Sequence, residues 1–79
     1  MTAYPNPFVD QLNVVLSVAA SVANVSIYDA LGRRVYAAQH AWPTNGLLLN
    51  LAFLPPGLYV LQAAAGAQMR RRKISKEAW

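Results

Sequence analysis

Apolar residues recur at every second position in several segments of the chain, which is the period of a half-buried β-strand. In the segment from 11 to 18 the even positions are apolar, while Gln11, Asn13 and Ser17 separate them. Val25 and Ile27 repeat the pattern, and it returns over 47–51 with a polar residue at position 50. The apolar residues of the first segment are Leu12, Val14, Leu16 and Val18. These segments predict strands and give no convincing helix.

Turn residues divide the chain between these segments. In Asp29-Ala30-Leu31-Gly32, the aspartate is suited to the first position of a type I turn and the glycine to the last. A hairpin is therefore predicted, in which Arg33 to Gln39 returns antiparallel with Val35 facing inward. Further breaks are expected at the loop 42–46, at the prolines before Gly57 and at Gly66. Six or seven strands at intervals of about 8 to 12 residues predict an antiparallel β-sandwich.

Tyr59 follows Leu54-Pro55-Pro56-Gly57 at the start of a predicted strand. This arrangement is typical of a tyrosine corner, in which the phenol hydroxyl bonds to backbone a few residues upstream in Ig-like sandwiches. A simple inward-facing aromatic residue is the other interpretation, and both put Tyr59 in the framework. The predicted fold class is all-β, a small Ig-like antiparallel β-sandwich.

Composition limits the chain to one small domain. Its 79 residues include no cysteine, so disulfides and thiolate metal sites are excluded and apolar packing must stabilise the fold. The hydrophobic content of 56% is sufficient for that. No apolar run reaches the ~20 residues of a membrane span. The N-terminus has no basic region followed by an apolar core, so it does not read as a signal peptide.

Residues suited to catalysis are scarce. The three acids are Asp10, Asp29 and Glu77, and the one histidine is His40. A general acid/base pair or a Ser-His-Asp arrangement would need nearly all of them in one cleft, so no enzyme activity and no cofactor are expected. His40 is interpreted as a solvated loop residue without companions for zinc. A calcium site of Asp10 or Asp29 with Asn6 and Asn24 is left open, although no spacing favours it.

Five of the seven basic residues lie between Arg70 and Lys76. A basic cluster can bind nucleic acid, but this one occupies a single strand without an interleaved aromatic platform, so no nucleic acid is expected. Charge on an edge strand also discourages edge-to-edge pairing. The run therefore has a structural interpretation as well as a recognition one.

An ordered set of short motifs runs from the first to the last predicted strand. In this order, the chain closely resembles the C-terminal sorting domain of type IX secretion, the Por secretion system of Bacteroidetes-type bacteria. The motifs are Tyr4-Pro5-Asn6-Pro7-Phe8, Val25-Ser26-Ile27-Tyr28-Asp29-Ala30-Leu31-Gly32-Arg33-Arg34-Val35, Leu54-Pro55-Pro56-Gly57-Leu58-Tyr59-Val60-Leu61 and Arg71-Arg72-Lys73-Ile74-Ser75-Lys76. The resemblance covers residues 4–76. Residues 1–3 are then a linker or a vector-derived remnant, and residues 77–79 a C-terminal extension.

The resemblance implies a cargo address and not a catalyst. It implies passage of a fused N-terminal cargo through the periplasm to the cell surface or medium, with the translocon, its shuttle components and a cell-surface sortase as partners. The sortase would remove the domain, often attaching the cargo to an anionic lipopolysaccharide. Tyr4, Pro5, Asn6 and Pro7 would mark the junction, where the prolines favour an extended entry.

The resemblance also implies that the last strand is recognised, and the candidate recognition residues are Gly57, Tyr59, Lys73, Ile74 and Lys76. Asp29 and Gly32 are assigned to the turn framework. Lys73 is expected to face solvent, and Lys76 to lie at a fraying end where its orientation matters little.

Several strands are apolar on both faces, so some apolar side chains must face outward and are expected to cluster into an interaction patch. Tyr28 and Tyr36 have the parity opposite to the core residues. The rival hypothesis is an accessory carbohydrate- or protein-binding module, in which Trp42 and these tyrosines stack on sugar rings. A co-facial row of aromatic residues would favour that rival, and an aliphatic patch beside the terminal strand would favour sorting. A dimer through the apolar faces is a further possibility.

Overall fold

The computed structural model describes residues 1–16, 22–41 and 46–77. These residues form seven strands, and the described part of the chain contains no helix. The strands are β1 (Thr2–Tyr4), β2 (Gln11–Val15), β3 (Val22–Asp29), β4 (Arg34–Ala41), β5 (Leu47–Asn50), β6 (Gly57–Ala65) and β7 (Gln68–Lys76). The all-β prediction is confirmed. The predictions for Val18, for 42–45 and for 78–79 lie outside the described residues.

The strands form two antiparallel sheets that pack face to face. One sheet has the order β1-β2-β5 and the other the order β4-β3-β6-β7. The two-residue alternation explains this packing, because every second side chain of β2, β3 and β6 is buried while the others face outward. The predicted sandwich is therefore confirmed, with β4 and β7 at the edges of the larger sheet.

The core lies between the sheets and divides into two clusters. The larger one contains buried aliphatic and aromatic side chains from both sheets: Phe8, Leu12, Val14, Val25, Ile27, Leu49, Leu51, Leu54, Tyr59, Leu61 and Ile74. The smaller one contains Leu16 with three alanines, Ala23, Ala63 and Ala65. Since alanine side chains occupy little volume, this cluster contributes less buried apolar volume than the larger one.

The hairpin between β3 and β4 follows from Asp29. Its Oδ1 accepts the backbone N–H groups of Leu31 and Arg33, both at 2.9 Å, and the Gly32 N–H donates to the Asp29 carbonyl at 3.0 Å. Gly32 has φ +82°, a left-handed conformation that favours glycine. The predicted turn and its antiparallel return are confirmed.

A bulge next to this hairpin changes the expected orientation of Tyr36. Ile27 is opposite Tyr36, but its neighbour Tyr28 is opposite Arg34, so Val35 is the extra residue of β4. Val35 and Tyr36 both pack against the larger core cluster. The assignment of Tyr36 to the outer face by parity was wrong, because the bulge shifts the alternation by one residue.

Tyr59 forms the tyrosine corner between the sheets. It lies near the start of β6, is 5% exposed, and donates its hydroxyl hydrogen to the Pro55 carbonyl at 2.5 Å. Both interpretations of Tyr59 hold, because its ring packs in the core while its hydroxyl fixes the connection from β5 to β6. This contact supports the Ig-like assignment.

Candidate recognition surface at the last strand

The faces of β7 differ in what they present. Tyr59 is opposite Ile74 and Val60 is opposite Lys73, so Ile74 shares the inner face with Tyr59 while Lys73 shares the outer face with Val60. Ile74 is 1% exposed, whereas Lys73 is exposed to solvent. The expectation that Lys73 faces solvent is confirmed.

An apolar patch lies beside Lys73 on the outer face of the larger sheet. Register places Tyr28, Val60 and Lys73 in one row across three strands, with Arg34 at its far end on β4. Leu58 precedes Val60 on the same face and is 67% exposed. We call the set Tyr28, Leu58, Val60, Arg71 and Lys73 the outer patch. It consists of two aliphatic side chains and one tyrosine, with a basic margin on the terminal strand.

The outer patch has the form of a shallow groove. One part of the groove is lined by Tyr28, Val60 and Arg71, and an adjoining part by Leu58 and Lys73. The Arg71 Nε donates to Gln62 Oε1 at 2.9 Å, which holds this guanidinium over β6. Among the other exposed apolar side chains, Met69 lies on this same face two positions before Arg71, whereas Leu48 lies on the outer face of the smaller sheet. Some of the outward-facing apolar side chains therefore cluster into a patch, as expected from the sequence, and others do not.

Lys76 differs from the expectation. It shares the parity of Ile74, is 5% exposed, and its Nζ donates to the Glu77 carbonyl at 3.4 Å. The end of β7 is paired with Phe8, whose N–H donates to the Ser75 carbonyl at 2.9 Å and whose carbonyl accepts the Glu77 N–H at 2.8 Å. The expectation that the orientation of Lys76 matters little was wrong.

Asn6 makes further hydrogen bonds to the same edge of β7, the edge that faces away from β6. Its Nδ2 donates to the Lys73 carbonyl at 3.2 Å, and its Oδ1 accepts the Ser75 N–H at 3.0 Å. Together, Asn6 and Phe8 occupy the edge of β7 from Lys73 to Glu77. We call this pair the edge clamp.

The N-terminal motif is therefore part of the fold. Tyr4 ends β1, which pairs with β2, and Pro5 to Pro7 form a bend before the buried Phe8. The extended entry expected for this motif ends at Tyr4, because the chain must turn to bring Asn6 and Phe8 to β7. The domain boundary expected at residue 4 falls inside β1.

Gly57 begins β6 opposite Lys76. It has φ +153°, and a Cβ added there would meet no atom within 4 Å. Any penalty for a side chain at this position therefore comes from the backbone conformation and not from a clash. The break predicted at the prolines before Gly57 is confirmed, because β6 begins at Gly57.

The titratable side chains have structural surroundings. The pKa of Asp29 is lowered, first because its carboxylate accepts the Arg33 backbone N–H and also because of an ion pair with the Arg33 Nε at 2.9 Å. His40 lies within β4, and its Nε2 is 3.1 Å from the Tyr36 hydroxyl. The interpretation of His40 as a solvated loop residue was wrong, since the strand extends to Ala41.

No three His, Cys, Asp or Glu side chains within residues 1–16, 22–41 and 46–77 come together to hold a metal ion. Asp29 faces N–H donors at the hairpin, while Asn6 lies at the edge of β7. The calcium site left open by the sequence does not assemble from this pair. No helix in the described ranges is long and apolar enough to cross a membrane.

The aromatic row required by the rival hypothesis does not form from the two tyrosines. Tyr28 lies on the outer face of the larger sheet, whereas Tyr36 packs against the core on the inner face. Burial also raises the pKa of Tyr36. Trp42 lies outside the described residues. Tyr28 and Tyr36 therefore cannot stack on one flat ligand.

Sequence reasoning missed two structural features of the candidate site. It assigned Asn6 to the junction motif and connected neither Asn6 nor Phe8 with β7. One local indication in the sequence that this motif joins the fold is the aromatic residue Phe8, directly after the prolines. It also did not single out Tyr28 and Val60 as neighbours of Lys73, because that row depends on the order of the strands.

These features define a small β-sandwich domain with an exposed, partly apolar surface on β6 and β7. The chain matches the secretion system C-terminal sorting domain over residues 2–77, nearly its whole length, and it belongs to that family. No curated protein sequence matches the chain.

Membership of this family defines the function at a coarse level. The chain is a C-terminal sorting signal of type IX secretion, which directs its protein through the periplasm to the cell surface or extracellular space. The family works with the type IX secretion system on behalf of a fused N-terminal cargo, and its members are in general non-catalytic. The accessory binding-module hypothesis is not favoured.

Proposed function

We propose that the type IX machinery recognises the outer patch of the folded domain, with Lys73 as its charged contact. The observation that carries this proposal is the 67% exposure of Leu58 on the same face as Lys73. A large, exposed aliphatic side chain beside a cation offers a partner both an apolar contact and a charge, and the combination favours specific binding. The domain itself carries out no catalysis.

The other candidate recognition residues act through the fold in this proposal. Tyr59, Ile74 and Lys76 are each 5% exposed or less, so a partner bound to the folded domain cannot reach much of them. Gly57 begins β6 and sets its entry from the proline turn. These four residues hold Leu58 and Lys73 in position on neighbouring strands.

We further propose that a cell-surface sortase removes the domain by cutting before β1. The motif Tyr4 to Pro7 contains the last residue of β1 and Asn6 of the edge clamp, and their hydrogen bonds would have to break for a protease to bind there. A cut before Thr2 would leave the pairing of β1 with β2 and the edge clamp in place. The translocon, its shuttle components and this sortase are the proposed partners, and a dimer through the outer patch is the competing use of that surface.

The test is export of a periplasm-targeted reporter that carries residues 1–79 at its C-terminus, in a host with type IX secretion. Leu58→Ser in the outer patch should reduce surface or extracellular reporter strongly. Leu48→Ser is the matched control, because Leu48 is 54% exposed on the smaller sheet. Both variants should remain folded, since neither side chain is buried.

Equal export of the two folded variants would refute recognition through the outer patch. Equal retention of the reporter in the periplasm with and without the domain would refute its use as a sorting signal in that host. Sedimentation analysis of the isolated domain would detect a dimer, and a dimer lost in Leu58→Ser but not in Leu48→Ser would assign the patch to self-association instead.

A further inference from the structure

The free edge of β7 is occupied over only part of its length. Backbone groups of a strand point alternately toward its two neighbours. The edge clamp bonds to Lys73, Ser75 and Glu77, so the odd-numbered residues direct their N–H and C=O groups away from β6. The pairing of β6 with β7 is unbroken from Lys76 to Gln68, so Arg71 directs its groups to the same edge.

We call this part the open edge because its backbone groups have no hydrogen-bond partner among the described residues, although β1 lies beside β7. Within the described ranges, no hydrogen bond engages the N–H groups of Arg71 and Lys73 or the carbonyl of Arg71. The edge clamp stops at the Lys73 carbonyl. An extended segment could therefore continue the sheet beyond the clamp and pair with the groups of Arg71 and Lys73.

Four consecutive cations flank this open edge, from Arg70 to Lys73. The three arginines donate to neutral acceptors, which are Gln68 Oε1, Gln62 Oε1 and the Met1 carbonyl. Among the described residues, the ion pair of Arg33 with Asp29 is the only one. The charge beside the open edge is thus not neutralised within this part of the molecule.

We infer that the edge of β7 from Met69 to Lys73 binds an extended segment of a partner protein with acidic residues at alternate positions. Backbone pairing provides affinity in strand addition, and side chains provide specificity. Acidic residues on the outer face of the added strand lie beside Arg71 and Lys73, both of which are exposed. A second copy of β7 is disfavoured, because it would bring like charges opposite one another.

This inference deepens the proposed function by naming the kind of partner that β7 takes. It is tested on the isolated domain, so it can fail while reporter export persists. The probe is a short labelled peptide of alternating glutamate and threonine. Its matched control has the same side chains but methylated nitrogens on alternate residues, which removes the donors of one edge and keeps the charge.

Fluorescence anisotropy should show the methylated peptide binding about tenfold more weakly than the unmodified one, since roughly one hydrogen bond or more is lost. Amide hydrogen exchange, followed by NMR, should slow at Arg71 and Lys73 when the unmodified peptide is added. Arg71→Gln should weaken binding severalfold, whereas Arg34→Gln on the opposite edge strand β4 should not.

Equal affinity for the two peptides, or exchange at Arg71 and Lys73 that stays fast in the complex, would overturn the inference in favour of contact through charge alone. Tighter binding of duplex DNA or polyphosphate than of the unmodified peptide would overturn it in favour of a phosphate ligand. Slow exchange at both amides in a concentration-dependent dimer without peptide would assign the edge to a second copy.

Discussion

The side-chain amide of Asn6 donates to the carbonyl of Lys73, a residue 67 positions later in the chain. Its oxygen accepts the N–H of Ser75 in the same arrangement. The amide group thereby supplies one donor and one acceptor to β7, as a residue of a neighbouring strand would. The beginning of the domain therefore holds the strand that ends it, and the two ends are expected to be stable or unstable together.

Asn6→Ala should lower the free energy of unfolding by about 1 kcal/mol, because two hydrogen bonds to β7 are lost at an exposed site. Chemical denaturation measures this loss, and amide exchange at Ser75 should accelerate. The control is Asn24→Ala, since Asn24 is exposed on β3 and no side-chain hydrogen bond ties it to the described residues. Equal stability of the two variants would mean that the edge clamp does not depend on Asn6.

Tyr59→Phe should lower the free energy of unfolding by about 1 kcal/mol at neutral pH, because the bond to the Pro55 carbonyl is lost while the ring stays packed. Chemical denaturation should detect this change. Tyr4→Phe is the control, since Tyr4 is 50% exposed on the smaller sheet. A variant as stable as the wild type would show that the tyrosine corner contributes nothing beyond its ring.

Tyr59 should also make the stability of the domain depend on alkaline pH. Its pKa is raised in the folded state, first by burial and then by the negative charge of Asp29. A raised pKa means that the neutral phenol is favoured by folding, so this contribution is complete below the unfolded value of about 10 and is lost as pH rises through the folded pKa. Above pH ~10, the free energy of unfolding should decrease less steeply with pH for Tyr59→Phe than for the wild type, as chemical denaturation at a series of pH values would measure. Parallel curves would contradict this assignment.

Gly57→Val should destabilise the domain by ~1–3 kcal/mol, because a β-branched residue is strained at the φ of +153°. Arg34→Ala should remain within about 0.5 kcal/mol of the wild type, since Arg34 is an exposed strand residue. Thermal unfolding compares the two directly. Matching melting temperatures would show that the turn relaxes to accept a side chain.

Lys73→Gln and Lys76→Gln should have different effects and must be tested separately. Lys73 is exposed, so its replacement should leave thermal unfolding nearly unchanged and reduce export of a reporter fusion. Lys76 is 5% exposed, so its replacement should lower stability by ~1 kcal/mol through lost packing of its methylene stem.

Undiminished export of the folded Lys73→Gln fusion would make Lys73 a guard of the strand edge and not a recognition residue. Arg34→Gln is the matched control for charge, because it removes an exposed cation at the far end of the same outer-face row. An equal loss of export in both variants would indicate that net charge, and not the position of Lys73, is what the machinery requires.

The sequence by itself determined the class of fold and the family. Alternation at Leu12, Val14 and Leu16 reflects a property of each strand alone, because successive side chains point to opposite faces. The turn at Asp29 and Gly32 is also local, since the hydrogen bonds involved join residues at most four apart. The ordered motifs then identified a sorting domain, and the match over residues 2–77 confirmed it.

Tertiary structure decided which of the recognition candidates a partner can reach. The bulge at Val35 places Tyr36 against the core. The edge clamp pairs with the end of β7, where Lys76 is buried. Neither outcome can be derived from local pattern, because each depends on how strands far apart in the chain are aligned. The row of Tyr28, Val60 and Lys73 has the same origin: sequence sets the face of each residue within its strand, and only strand order brings the three together.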